Sequence, residues 1–168
     1  AKSEGLNITC DVNMHHLHLI DTDMGYFDAQ LVFDPPLRSC ADRDALRAGV
    51  LDGTIDAIVS DHSAVNADAK SLPVGQAQAG AVGTQWLLNS VLHFAQDTHT
   101  DVAQALSHSV AKAYAILGLP APTWEQGATA NFVIFDETAH QPIDAAHIIG
   151  SHSNTPWLGY ELSGRITQ

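Results

Sequence analysis

Apolar and polar positions alternate with a period of two across residues 7–16, NITCDVNMHH, which predicts a strand. Ile8, Cys10, Val12 and Met14 share its apolar side, and Thr9, Asp11, Asn13 and His15 share the polar side. The following stretch, DTDMGYFDAQLVFDPPLRSC, has no period, and Pro35-Pro36 excludes regular helix and holds the chain extended. In ADRDALRAGVLDG the residues Ala45, Leu46, Gly49 and Val50 recur at helical spacing, with Gly53 placed to stop the helix. TIDAIVSD then reads as a second, buried strand ending at Asp61. Strand, helix, strand predicts an α/β fold with a parallel sheet.

Two further helices are predicted over 84–96 and 101–117, the second with Asp101 at its dipole-favourable start and Gly118 at its stop. From Pro120 the character changes. ATANFVIFD is β-branched and aromatic, and NTPWLGYELSGRIT alternates like an edge hairpin, so this part is expected to be a small all-β appendage. The expected division is 1–119 for the α/β part and 120–168 for the appendage.

The chain has 168 residues, the size of one ordinary domain, and 45% of them are hydrophobic. It opens AKSEGLNITCDV without an initiator methionine and stops at GRITQ inside a strand-like run, which predicts a piece of a longer polypeptide. A formal charge of −12 with seven Lys and Arg argues against nucleic acid, whose phosphates need clustered basic side chains. No apolar run approaches the roughly 20 residues that cross a bilayer, so no membrane partner is expected. Cys10 and Cys40 form neither a C-x-x-C pair nor a disulfide framework, and are expected as small hydrophobes in a reducing, cytoplasmic setting.

Three groups of residues could carry chemistry. MHHLHLID packs His15, His16 and His18 into one strand end, where any of them could meet a divalent metal or simply be hydrogen-bonded. Strand parity puts His16 and His18 on the apolar side and His15 on the polar side, which favours His15 as the ligand. Asp61 ends an apolar strand, the place where α/β barrels carry catalytic groups, although an Asp there also caps its own turn. Arg38, beyond the Pro-Pro step, could capture a substrate carboxylate or pair with Asp34 at the surface. The other histidines receive no role, and Trp86, Trp124 and Trp157 are expected to serve packing.

The ordered set CDVNMHHLHL, FDPPLRS, DRDAL, LDGTIDAIVSDHSAV, AGAVGTQ, GATANFVIFD and NTPWLGYELSGRI resembles the C-terminal half of dihydroorotases, which are cyclic amidohydrolases. The resemblance implies the C-terminal part of a TIM-like (β/α)8 barrel, about its last three strands, plus part of a small β domain. The family's T-P-H-H matches Asn13-Met14-His15-His16, which implies His15 as a zinc ligand; T-D-H-A-P-H implies Asp61 as the catalytic, metal-facing carboxylate. The substrate-contacting Asn of N-P-P-L-R is Asp34 here, followed by Arg38, and the last His of T-D-H-A-P-H is Val65. Gly80 or Gly83 matches the glycine whose backbone meets substrate.

The activity so implied is reversible, metal-dependent hydrolysis of dihydroorotate to carbamoyl aspartate in pyrimidine biosynthesis, with one or two zinc ions in the whole protein. The remaining ligands would lie in a missing N-terminal half, without which the piece alone is expected to be inactive. Two departures, Asp34 and Val65, are compatible instead with a non-catalytic branch that serves as a scaffold for aspartate carbamoyltransferase. A dihydropyrimidinase or allantoinase is a further alternative. A homo-oligomer is expected in each case.

Overall fold

The computed structural model describes residues 1–167, so Gln168, the last residue of the GRITQ run, lies outside the description. Strand β1 (Asp11–Asn13) pairs in parallel with β2 (Ala57–Val59), in the register Asp11 to Ala57, Val12 to Ile58 and Asn13 to Val59. A third parallel rung, His62 to Ala81, extends the arrangement as a single bridge. The crossover between β1 and β2 carries helix α1 (Cys40–Leu51), as a parallel connection requires. Among the described residues the architecture is mixed α/β with no closed barrel.

Local sequence explains α1 well. Ser39 and Asp42 form a capping box, with Ser39 Oγ accepting from Asp42 N and Asp42 Oδ2 accepting from Ser39 N at 3.2 Å. Its C-terminal exit is made by Gly53 at φ 81, a conformation that costs glycine little. Helix α2 (Ala67–Lys70) is a single turn, and α3 (Leu87–Thr98) follows a 3-10 turn over Thr84–Trp86. Of its apolar residues, Val91, Leu92, Phe94 and Ala95 are buried against the centre of the molecule.

The predicted helix over 101–117 is broken into α4 (Val102–Ser107) and α5 (Ala111–Ile116). Backbone pairing outweighs helix propensity at this point: Ile58 N donates to His108 O at 3.2 Å, and Ser109 Oγ donates to Ile58 O at 3.2 Å. The open edge of β2 is satisfied in this way, since a buried backbone group left unpaired costs more than an interrupted helix.

Beyond residue 120, β3 (Phe135–Pro142) and β4 (Glu161–Ile166) form an antiparallel pair. The predicted strand 128–136 is displaced toward the C-terminus: residues 128–134 carry no strand, and Thr167 N donating to Ile134 O is the last described rung. The pair packs on α3, where Asn89 Nδ2 donates to Ser163 O at 2.8 Å and to Gly164 O at 2.6 Å. Ile143, Trp157 and Leu162 join Val12, Met14 and Phe94 in one continuous core. Phe94 is fully buried, so Phe94→Ala would remove ~3–5 kcal/mol of stability.

Other expectations change with the fold. The first strand stops at Asn13, because Met14–Leu17 turns into a 3-10 helix. Cys10 and Cys40 are exposed free thiols, not buried hydrophobes; Cys10 Sγ donates to Thr54 O at 3.1 Å. Trp86 and Trp157 are buried in the core, while Trp124 is 87% exposed and stacks on Phe132.

Candidate active-site cleft

The C-terminal ends of β1 and β2 open on a cleft of about 300 Å³ lined by Asp11, Asn13, His16, Asp34, Pro35 and Asp61, with Val12, Leu46 and Val59 beneath. Asp61 follows β2 with φ 46, a left-handed backbone that an Asp tolerates better than most residues. The carboxylate is exposed and accepts from Asn13 Nδ2 at 2.7 Å, so the C-terminal ends of the two parallel strands are joined by polar side chains. Asn13 Oδ1 in turn faces His16 Nδ1, and His16 Nε2 donates to Pro35 O at 2.9 Å. Asn13 thus holds both Asp61 and His16.

The 3-10 turn reverses the expected parity of the histidines. Continuing a strand through Met14 would aim His15 at the polar side, but the backbone turns there by about 120° per residue instead of alternating. His16 therefore reaches the cleft, and His15 is fully buried, stacked on Phe33 at a centroid distance of 4.8 Å and facing Trp157 at 6.1 Å. Neither ring nitrogen of His15 has a hydrogen-bond partner. Burial, followed by the nearby charges of His16 and Lys70, lowers the His15 pKa to about 3, so the ring stays neutral.

The remaining sequence-predicted residues fall in different places. Asp34 lines the cleft. Arg38 is exposed and its Nε lies 4.0 Å from Asp42 Oδ2 at the first turn of α1, an ion pair of little energetic weight. Val65 is buried, and its N–H donates to Asn154 Oδ1 at 3.0 Å. The backbone N–H of Gly80 is taken by Val32 O at 3.0 Å and that of Gly83 by His62 Nδ1 at 3.3 Å. Both glycines are packed on the segment after β2, where a Cβ at Gly80 would meet Ser63 Oγ at 2.7 Å.

Sequence reasoning missed two side chains that organise this region. Asn13 was one more polar residue on an alternating strand, yet it ties Asp61 to His16. Asn154, buried, accepts from Val65 N and donates to Ser63 O at 3.0 Å and Gly80 O at 3.2 Å, while its own carbonyl accepts from Val82 N at 2.8 Å. Its signal was an Asn ahead of Thr-Pro, a turn-forming residue whose amide can also serve backbone groups.

A zinc centre of the kind the resemblance implies needs three protein ligands besides water. The cleft of this chain does not supply them. His16 has both ring nitrogens occupied by oxygen atoms, His15 is enclosed by aromatic rings, and Asp61 is the one residue of the implied ligand set that lines the cleft. The donor set therefore does not fit a complete catalytic metal site within the chain.

The fold matches part of solved hydantoinase and dihydropyrimidinase structures. An L-hydantoinase (dihydropyrimidinase) from Arthrobacter aurescens superposes with a TM-score of 0.89 at 22% identity, over 98% of this chain and 38% of that one. A dihydropyrimidinase from Brevibacillus agri gives 0.83 at 20% identity, over 98% and 38%. In sequence, dihydroorotases are the relatives: one from Anaeromyxobacter is 37% identical over 172 residues, one from Geobacter 33% over 165 residues and one from Listeria welshimeri 36% over 165 residues. These matches cover 98–99% of this chain and 39% of each relative, so the chain spans well under half the length of the proteins it matches. No family model matches. In sequence the chain is similar to part of the dihydroorotases. No helix among the described residues is long and apolar enough to cross a membrane.

Proposed function

We propose that this chain is the portion of a dihydroorotase-type enzyme that carries its acid–base carboxylate, and that the whole protein hydrolyses the cyclic amide of dihydroorotate reversibly. The observation that carries this reading is Asp61 itself: an exposed carboxylate at the end of a parallel strand, in a left-handed backbone, oriented by Asn13 over a cleft. In hydrolysis the water oxygen bonds to the ring carbonyl carbon, the C–N bond breaks, and the nitrogen gains a proton. Asp61 takes the proton from the attacking water and returns it to the departing nitrogen. Asp34 stands where a substrate would lie, and His16 places a polar edge on the same cleft.

The metal role of His15, the substrate contacts of Arg38, Asp34, Gly80 and Gly83, and the use of zinc belong to this proposal, with the other ligands coming from polypeptide outside the chain. Dihydroorotate turnover by the full-length protein tests it. Asp61→Asn should lower kcat by about 10²–10⁴-fold; unchanged turnover would remove Asp61 from the chemistry.

A second reading is favoured by the enclosure of His15 between Phe33 and Trp157 and by the apolar, buried Val65. Under it the protein is a non-catalytic scaffold that binds aspartate carbamoyltransferase. Co-purification with that enzyme, together with no turnover of dihydroorotate or carbamoyl aspartate, would select it.

A further inference from the structure

Away from the cleft, the turn after β1 meets α3 through a second set of titratable groups. One ring nitrogen of His18, one of His93 and a carboxylate oxygen of Asp97 all lie within 4.8 Å of one another, the one such group of three among the described residues. His93 and Asp97 are four apart on α3 and so share its face, and the His18 ring lies against that of His93 at a centroid distance of 4.8 Å.

The tautomer of His18 is fixed by its surroundings. Its Nε2 lies 3.0 Å from Ser90 O, a carbonyl that can only accept, so Nε2 carries the hydrogen and Nδ1 carries the lone pair. That Nδ1 is buried and has no partner. A histidine that donates one ring nitrogen to a backbone carbonyl and keeps the other basic and unpartnered has the hydrogen-bonding arrangement that metal-bound imidazoles adopt. Burial, then the charges of His93 and Arg47, lowers its pKa to about 3, which keeps the ring neutral and able to ligate at ordinary pH.

We propose that His18, His93 and Asp97 form a binding site for a zinc-class divalent cation that staples the turn after β1 to α3. Two imidazoles and one carboxylate suit zinc and its neighbours in the first transition row, not the harder magnesium or calcium. Bond lengths of ~2.0–2.2 Å put tetrahedral ligand atoms roughly 3.3–3.6 Å apart, so the set must close by about 1 Å. His93 and Asp97, with side chains 40% and 33% exposed, are free to make that movement, and solvent on their open side supplies the fourth ligand. Arg47 Nη2, at 2.6 Å from Asp97 Oδ2, orients the carboxylate and competes with the cation for it. The site shares no residue with the cleft and does not depend on the proposed reaction.

The test is zinc binding by the full-length protein, stripped with chelator and then dialysed against zinc chloride, with bound metal counted per chain. His93→Gln and Asp97→Asn are compared with the unaltered protein, each with Asp61 intact and with Asp61→Asn, and folding is checked by circular dichroism. The expected result is the loss of one equivalent, or a weakening of one equivalent by more than about 100-fold, in both variants whether or not Asp61 is present. Cobalt substitution should show the matching loss of d–d absorbance. The proposal is overturned if the unaltered protein binds no zinc, if both variants bind like the unaltered protein, or if Asp61→Asn alone abolishes all zinc binding.

Discussion

Asn13 Nδ2 donates to Asp61 across 2.7 Å, joining the ends of two parallel strands through the residue proposed to move the proton. The same amide presents Oδ1 to His16, so its orientation is fixed from both sides. Asn13 is a positioning residue in this reading. Removing a hydrogen bond to a charged group costs ~1.5–3 kcal/mol. Asn13→Ala in the full-length protein is therefore expected to lower kcat for dihydroorotate by about 10–100-fold with KM nearly unchanged. Steady-state kinetics decides; an unchanged kcat would mean that Asp61 does not need this orientation.

His15 makes a pH prediction whose sign follows from its burial. The ring has a pKa of about 3 in the folded protein against 6.5 when free. Below pH 6.5 the unfolded chain takes up a proton that the folded chain refuses, so stability present above pH 6.5 is lost as pH falls toward 3. The loss from this ring alone is about 2 kcal/mol at pH 5. His15→Phe keeps the aromatic contact with Phe33 and removes two buried nitrogens that have no partner. Urea denaturation of chelator-treated protein should show equal or higher stability for His15→Phe at pH 7.5, by up to about 1 kcal/mol, and a flatter decline toward pH 5. If His15 ligates metal in the full-length protein, the same variant instead loses zinc and turnover.

Much of this architecture was legible from periodicity, because the features concerned are local. The helix ahead of Gly53 and the apolar strand before Asp61 depend on residues a few positions apart. Errors arose where distant backbone decided the outcome. Strand parity could not assign His15 and His16, since the turn at Met14 abolishes the alternation on which parity rests. The long helix over 101–117 was cut by two hydrogen bonds with Ile58, some fifty residues away, whose N–H donates to His108 O and whose carbonyl accepts from Ser109 Oγ. Asp61 and Asp34, singled out in the sequence, both line the cleft, whereas Asn13 and Asn154 act through partners that only the folded chain brings near.

Asn154 closes the segment from the C-terminal region onto the loop after β2. Its side chain pairs with three backbone groups, Val65 N, Ser63 O and Gly80 O. Asn154→Ala leaves each of them short of a partner, at ~1 kcal/mol or more apiece. A total loss of about 3 kcal/mol is expected in urea denaturation, and hydrogen exchange at Val65 N should accelerate first. Protection at Val65 unchanged from the native protein would show that other contacts hold this loop.

Gly83 separates a structural role from a substrate-binding one. Its φ of −127 is open to any residue, so nothing about its backbone conformation demands glycine. Space does: a Cβ there would fall inside the van der Waals radius of Ser60 O and press on Met14 Cε at 3.0 Å. Its N–H is already engaged with His62 Nδ1 at 3.3 Å, so it does not point freely at a ligand. Gly83→Ala must push the segment off β2's end, at a cost of ~1–3 kcal/mol. Gly118→Ala is the control, with nothing within 4 Å and a φ of +65, and it should cost only about 1 kcal/mol through backbone strain. Thermal melting of both variants, alongside KM for dihydroorotate, distinguishes the roles. A lowered Tm with KM unchanged places Gly83 in the packing; an intact Tm with a raised KM would place its backbone against the substrate, as the family resemblance implies.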